Sequence, residues 1–246
     1  MTLKLVSPNW SAPSNVKAFC TTRHGGTSQA PWDSLNLAIH VGDELKHVQA
    51  NRKVFSDVAG VHNLHWLNQT HSTILLEHGS NETHGDACFT SAPNQACVVM
   101  TADCLPIILC AEDGGWVSAV HAGWRGLLDG IVSKAVKTYT GSSRLMAWIG
   151  PAISQNYFEV GQEVRQRFVE KSVDFSDYFE ANSDQRWMCD LAGIADREMS
   201  VLGVNVFKSD LCTYHHNDDF YSHRRATHEQ GKSATTGRMA TVVWIQ

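Results

Sequence analysis

Apolar positions along the chain fall into two recurring patterns. Short runs in which nearly every residue is apolar read as strands buried on both faces, and they recur at 16–22, 73–76, 97–100, 107–110, 117–120, 146–149, 204–207 and 239–245. Several are bounded by turn formers such as Asp113, Gly114 and Gly115. Three longer stretches carry helical spacing instead. Leu45, Val48, Phe55, Val58 and Ala59 recur at roughly helical intervals between Asp43, a candidate cap, and Gly60. Leu127, Leu128, Ile131, Val132, Ala135, Val136 and Tyr139 make a second apolar face that ends at Gly141. Leu191, Ile194, Ala195, Met199 and Leu202 make a third after Asp190, a candidate cap, with Asp196, Arg197 and Glu198 on the outer face. Amphipathic helices of this kind cover sheets. Strands often follow one another directly, so the pattern predicts an α+β architecture with mixed sheets rather than regular βα alternation.

No repeat, low-complexity tract or long linker interrupts the 246 residues, so 1–246 reads as one domain with one continuous core. The hydrophobic fraction of 43% is that of a globular chain, and a formal charge of -5 leaves no basic excess to neutralise a nucleic-acid backbone. That charge leaves a small anionic substrate open. No run of about 18 apolar residues exists, and Pro8 and Asn9 interrupt the amino-terminal segment before a signal-peptide core forms, so a cytoplasmic protein without membrane contact is expected. Seven cysteines without CxxC pairs then read as free thiols rather than a disulfide framework. Thirteen histidines, several beside Asp, Asn or Gly, direct attention to imidazole chemistry.

Three segments each place one soft or borderline metal ligand at the end of a strand-like run. They are Asn68-Gln69-Thr70-His71, Thr101-Ala102-Asp103-Cys104-Leu105-Pro106 and Val120-His121-Ala122-Gly123-Trp124-Arg125-Gly126. Two imidazoles and a thiolate suit Zn(II), and three protein ligands leave a fourth tetrahedral position open. The spacing matches no compact metal motif, so buried packing for Cys104 and surface positions for the histidines stand beside that reading. The same residues also fit a thiolate nucleophile, with His121 as base and Asp103 or His71 orienting its ring. Glycines around Trp124 and Arg125 allow close backbone approach, and Arg125 offers a fork for phosphate or carboxylate; a plain strand-to-helix turn explains the segment equally. The stretch 21–28 has a Gly turn with Arg23, and 220–225 adds Tyr221 and two arginines. His215-His216 with Asn217-Asp218-Asp219, and the segment from Glu82 to Asp86, read as polar loops without a role.

These motifs resemble the YfiH-type laccase-domain family, also called multicopper polyphenol oxidases and purine nucleoside phosphorylases. The matching segments are Thr22 to Ser28, Ser34-Leu35-Asn36-Leu37, His40-Val41-Gly42-Asp43, Asn51-Arg52, Gln69-Thr70-His71, TADCLP at 101–106, HAGWRG at 121–126, Gly150-Pro151, Phe158 to Gly161 and Thr236 to Met239. They span nearly the whole chain. The resemblance implies a four-layer αββα sandwich and a zinc site of His71, Cys104 and His121, which are also its catalytic residues. It further implies phosphorolysis of adenosine, inosine, guanosine and methylthioadenosine, together with deamination of adenosine. Residue chemistry adds Arg23 and Arg125 as phosphate holders, Asn36 for a sugar hydroxyl and Tyr221 to stack on the base.

The chain departs from such relatives at His223, where an aromatic commonly follows Tyr-Ser, and in the longer polar stretch Ala226 to Thr235. Base selection or loop closure is expected to differ there. Copper is a secondary expectation, because a blue-copper and trinuclear cluster needs many more paired histidines than this sequence offers. Two further functions stay open: an amidase that edits peptidoglycan precursors through Cys104 and His121, and a copper-dependent polyphenol oxidase. A zinc-braced binding module is the non-enzymatic alternative.

Overall fold

The run Leu105–Ala111 is buried along its whole length, and its alternation divides it between two cores. Leu105, Ile107, Leu109 and Ala111 face one, while Ile108 and Cys110 face the other. Such a strand is covered on both sides. The computed structural model describes residues 3–183 and 185–246. Met1 and Thr2, the opening of the segment read above for a signal peptide, lie outside the described residues together with Asp184.

The strands are β1 (Leu5–Val6), β2 (Val16–Thr21), β3 (Leu64–Trp66), β4 (Leu75–Glu77), β5 (Ala87–Thr90), β6 (Ala96–Thr101), β7 (Leu105–Ala111), β8 (Val117–Ala122), β9 (Leu145–Ile149), β10 (Glu159–Gly161), β11 (Phe179–Ala181), β12 (Arg186–Cys189), β13 (Asn205–Lys208) and β14 (Met239–Ile245). The α-helices are α1 (Leu45–Ala59), α2 (Trp124–Leu128), α3 (Ile131–Thr138), α4 (Gln162–Lys171), α5 (Leu191–Val201) and α6 (His223–Gln230).

A five-stranded sheet in the order β1-β2-β14-β6-β3 faces a six-stranded sheet in the order β13-β9-β7-β8-β5-β4. Between them lie Cys20, Cys97, Val99, Ile108, Trp148 and Val243. On the outer side of the first sheet, Phe55 of α1 packs with Phe19, Val98, Val242 and Trp244. On the outer side of the second, α2, α3 and α5 cover Ile107, Leu109 and Val120. The result is the expected α+β sandwich in four layers, with both sheets mixed. A three-stranded sheet, β10-β12-β11, sits beside α4 and was not expected.

Helix boundaries depart from the periodic reading where local chemistry intervenes. Gly60 ends α1 in the left-handed region as expected, but the N-cap is Glu44 rather than Asp43. Asp43 instead accepts from Asn36 and Ser28. Leu45 and Val58 are exposed, while Asn51 faces inward and binds Thr27, Ser28 and Asn36, so α1 anchors a polar loop as well as a core. The second helix is two: Gly130, at φ 90°, separates α2 from α3, which ends at Thr138 before reaching Gly141. Asp190 caps α5 by accepting the Gly193 N–H at 2.8 Å. Glu198 turns inward to pair with Lys171 of α4, and Leu202 lies half out of the core.

Candidate metal centre

Antiparallel pairing of β7 with β8 sets Pro106 opposite His121, so Cys104, just before β7, comes beside that imidazole. His71 arrives from the connection between β3 and β4. Its loop is pinned by Gln69, whose side-chain amide donates to Met100 O at 2.8 Å and accepts Met100 N–H at 2.7 Å. The donor atoms of His71, Cys104 and His121 all lie within 4.8 Å of one another, with Cys104 Sγ 3.7 Å from His71 Nε2. Among the described residues this is the one grouping of three or more such side chains placed to hold an ion.

Close approach depends on a glycine. A Cβ at Gly123 would lie 2.5 Å from His71 Cδ2 and 3.1 Å from Cys104 Sγ, so any side chain there would displace the donors. Two imidazoles and one sulfur in this cradle fit a borderline ion such as zinc, with a position left toward the cavity. Burial alone would raise the Cys104 thiol, but the His121 and His71 imidazoles outweigh it and bring it down to about 6. Burial opposes the charged form of His121 as well. The Cys104 thiolate and the Asp86 carboxylate prevail and carry that ring up to about 9.

His121 Nδ1 lies 2.8 Å from Asp86 Oδ1, so its Nε2 is the nitrogen left for the centre. Asp86 comes from the segment read as a roleless loop, and neither Asp103 nor His71 orients that ring. Asp103, at φ 92°, turns its carboxylate the other way, onto Thr213 Oγ1, Ser222 Oγ and the Arg224 N–H. It thereby ties Cys104 to the start of α6.

Beside the three donors opens a cavity of about 360 Å³. Trp124, Ile153, Phe158 and Leu191 form its apolar wall, and Arg125, Arg224, Arg238, His40 and His223 bring cations and imidazoles. Arg125 packs its guanidinium 4.3 Å above the Trp124 ring and has no hydrogen-bond acceptor among the described residues. Arg238 uses Nη1 on Thr236 O and Gly237 O. Burial, with Arg238 nearby, lowers His40 and His223, so both are neutral at physiological pH.

Arg23, Asn36 and Tyr221 lie outside this cavity. Arg23 donates to Asp33 O, Asp33 Oδ2 and Asn217 O and packs on the Tyr221 ring, which occupies its fork internally. Asn36 is fully buried, bonded to Ala38, Asp43 and Arg238 N. Tyr221 is also fully buried and donates to Trp32 O at 2.6 Å, so no base can stack on it. Arg238, Arg224 and His40, which the sequence did not single out, line the cavity instead.

A family model described as multi-copper polyphenol oxidoreductase laccase matches residues 17–246. The chain belongs to this family. Among its relatives, a Haemophilus influenzae protein named purine nucleoside phosphorylase is 38% identical over 251 residues, covering 99% of this chain and 100% of that one. The Escherichia coli protein named purine nucleoside phosphorylase YfiH is 38% identical over 248 residues, covering 98% and 99%. The crystal structure of a Neisseria meningitidis protein of the DUF152 family shares the fold with a TM-score of 0.92 at 37% identity, covering 98% of this chain and 99% of that chain. Among the described residues, no helix is long and apolar enough to cross a membrane.

Proposed function

We propose that this chain is a purine nucleoside phosphorylase that uses inorganic phosphate on adenosine, inosine, guanosine and methylthioadenosine, also deaminates adenosine, and holds zinc on His71, Cys104 and His121. The observation that carries this reading is the joining of that donor set to a cavity with an apolar wall and unsatisfied arginine, in a chain whose relatives bear that name.

Phosphorolysis joins a phosphate oxygen to the anomeric carbon of the ribose and breaks the bond from that carbon to the purine nitrogen. The purine leaves with the electron pair and takes up a proton. Arg125 and Arg238 hold the phosphate charge within reach of the sugar, where desolvation strengthens them. Phe158 and Trp124 cover the apolar faces of the nucleoside, and neutral His40 and His223 each present one donor and one acceptor to its edges. A zinc ion on the three donors would supply Lewis acidity, the chemistry that deamination requires.

Base release from the four nucleosides, followed by chromatography with and without phosphate, tests the proposal. Hypoxanthine from inosine only in the presence of phosphate is the expected result. Release independent of phosphate, or none from metal-replete protein, contradicts it.

A second reading has its own support. Asp86, His121 and Cys104 line up as acid, imidazole and activated thiol, the order a cysteine nucleophile requires, and an amidase acting on peptidoglycan precursors fits that set. Zinc on Cys104 and nucleophilic attack by Cys104 exclude each other. Stoichiometric alkylation of Cys104 in the zinc-loaded protein favours the amidase; protection by zinc favours the phosphorylase. Copper oxidation of polyphenols predicts bound copper and dioxygen uptake, and metal analysis by mass spectrometry separates it from both.

A further inference from the structure

Asp86 is fully buried, yet its carboxylate has five donors. Oδ1 accepts His121 Nδ1–H at 2.8 Å and the His71 N–H at 3.0 Å. Oδ2 accepts Ser72 N–H at 2.6 Å, Ser72 Oγ–H at 2.7 Å and Thr70 N–H at 3.2 Å. Three successive peptide N–H groups aimed at one oxygen pair form an anion nest, and Asp86 is its built-in anion. The nest requires the chain to curl, and His71 sits at φ 61°, a conformation that costs a non-glycine residue about 1 kcal/mol or more. Charge-assisted hydrogen bonds to a buried carboxylate offset that cost. The backbone of Asp86 is tied in as well, its N–H to Ile74 O at 3.0 Å and its O to the His121 N–H at 2.7 Å.

We propose that Asp86 is the positioning residue of the metal centre, fixing two of its three ligand side chains with one carboxylate. It acts on His121 through the ring, choosing the tautomer that leaves Nε2 for the ion. It acts on His71 through the main chain, holding the curl that turns this imidazole toward Cys104. The inference rests on the metal-binding reading of the proposed function and adds the device that assembles the centre before any ion arrives.

Asp86→Asn is the discriminating substitution because it keeps the shape and exchanges one acceptor for a donor. If its oxygen stays on His121, its amide nitrogen confronts the Ser72 and Thr70 donors. If it turns over, it confronts His121 Nδ1–H and the His71 N–H. The first orientation loosens the curl on either side of His71, and the second takes the acceptor from both ligands. Asp-to-Asn exchange behind a metal-bound histidine weakens metal affinity about 10–100-fold. Ser72→Ala removes one hydroxyl and leaves both ligand contacts in place.

Zinc affinity is measured by competition with a chromophoric chelator, on unsubstituted protein and on both variants, each verified as folded by circular dichroism. The proposal predicts one tight equivalent for the unsubstituted protein, about 10–100-fold weaker binding for Asp86→Asn and a few-fold change at most for Ser72→Ala. Equal affinity in folded Asp86→Asn overturns the positioning role while leaving the metal reading intact. No zinc binding by the unsubstituted protein overturns both. Should Asp86→Asn fail to fold, long-range proton–nitrogen NMR of the zinc-loaded unsubstituted protein decides: a proton on His121 Nδ1 is predicted, and zinc on Nδ1 overturns the proposal.

Discussion

The carboxylate of Asp103 accepts the backbone N–H of Arg224 at 2.7 Å across 121 positions of sequence. One residue after Asp103 stands Cys104 of the candidate metal site, and the residues on either side of that N–H, His223 and Arg224, line the cavity. The contact therefore couples the candidate metal centre to one wall of the cavity. It also holds α6, whose one apolar residue, the buried Ala226, makes no hydrophobic face to retain it.

Removing that anchor should show in stability and in substrate binding together. Asp103→Ala leaves Thr213 Oγ1, Ser222 Oγ and the Arg224 N–H buried without their acceptor, each worth about 1–3 kcal/mol if left unsatisfied. Urea unfolding should report a loss of at least about 3 kcal/mol. In the surviving folded fraction KM rises more than kcat falls, because the wall moves and the donors stay.

The arginines separate by what already occupies them. Arg125 has no acceptor among the described residues and Arg238 uses only Nη1, on Thr236 O and Gly237 O, so Arg125→Ala and Arg238→Ala should each raise KM for phosphate about 10–100-fold, the worth of a charge-assisted hydrogen bond or two. Arg23→Ala should leave KM unchanged and lower the melting temperature, since its fork is spent on Asp33 and Asn217. Steady-state kinetics with varied phosphate distinguishes the two patterns.

Gly123→Ala places a methyl 2.5 Å from His71 Cδ2. Overpacking of this kind costs about 1–3 kcal/mol. The expected signature is zinc content well below one equivalent in a protein that still folds, read by mass spectrometry of the purified variant.

Acid should act through Asp86. Its burial disfavours the charge, but the hydrogen bonds from His121 and Ser72 win and hold the carboxyl at about 2, below its ordinary 3.8. A depressed acid contributes stability that is present above the ordinary value and disappears as pH falls through the folded one, here about 2 kcal/mol lost between about pH 4 and 2. Asp86→Asn should flatten that limb of the stability curve. In metal-free protein, Cys104 alkylation should reach half its limiting rate near pH 6, because the thiol is pulled down to about 6, and zinc should suppress it.

Much of this was legible along the chain. Strands such as 239–245 and 107–110 show themselves because burial on both faces leaves almost no polar position, and the three donors stand out as candidates because thiol and imidazole sit at strand ends beside turn-forming or backbone-permissive residues. Asp86 was illegible since its meaning lies in five donors drawn from two separate places in sequence, 70–72 and His121. Arg23, Asn36 and Tyr221 have side chains suited to a ligand, but internal acceptors and burial had already claimed them. Helix α6 has no apolar period at all; the Arg225 guanidinium, donating to Thr213 O, Tyr214 O and Phe220 O, secures it instead.

The central claim is transfer of ribose from a purine to phosphate in the cavity beside His71, Cys104 and His121. Phosphorus NMR of inosine and phosphate incubated with the zinc-loaded protein tests it directly. A ribose 1-phosphate resonance growing in step with hypoxanthine, and lost in Arg238→Ala at the same phosphate concentration, is the predicted result. Hypoxanthine accompanied by free ribose, or an unchanged inosine signal, would contradict it.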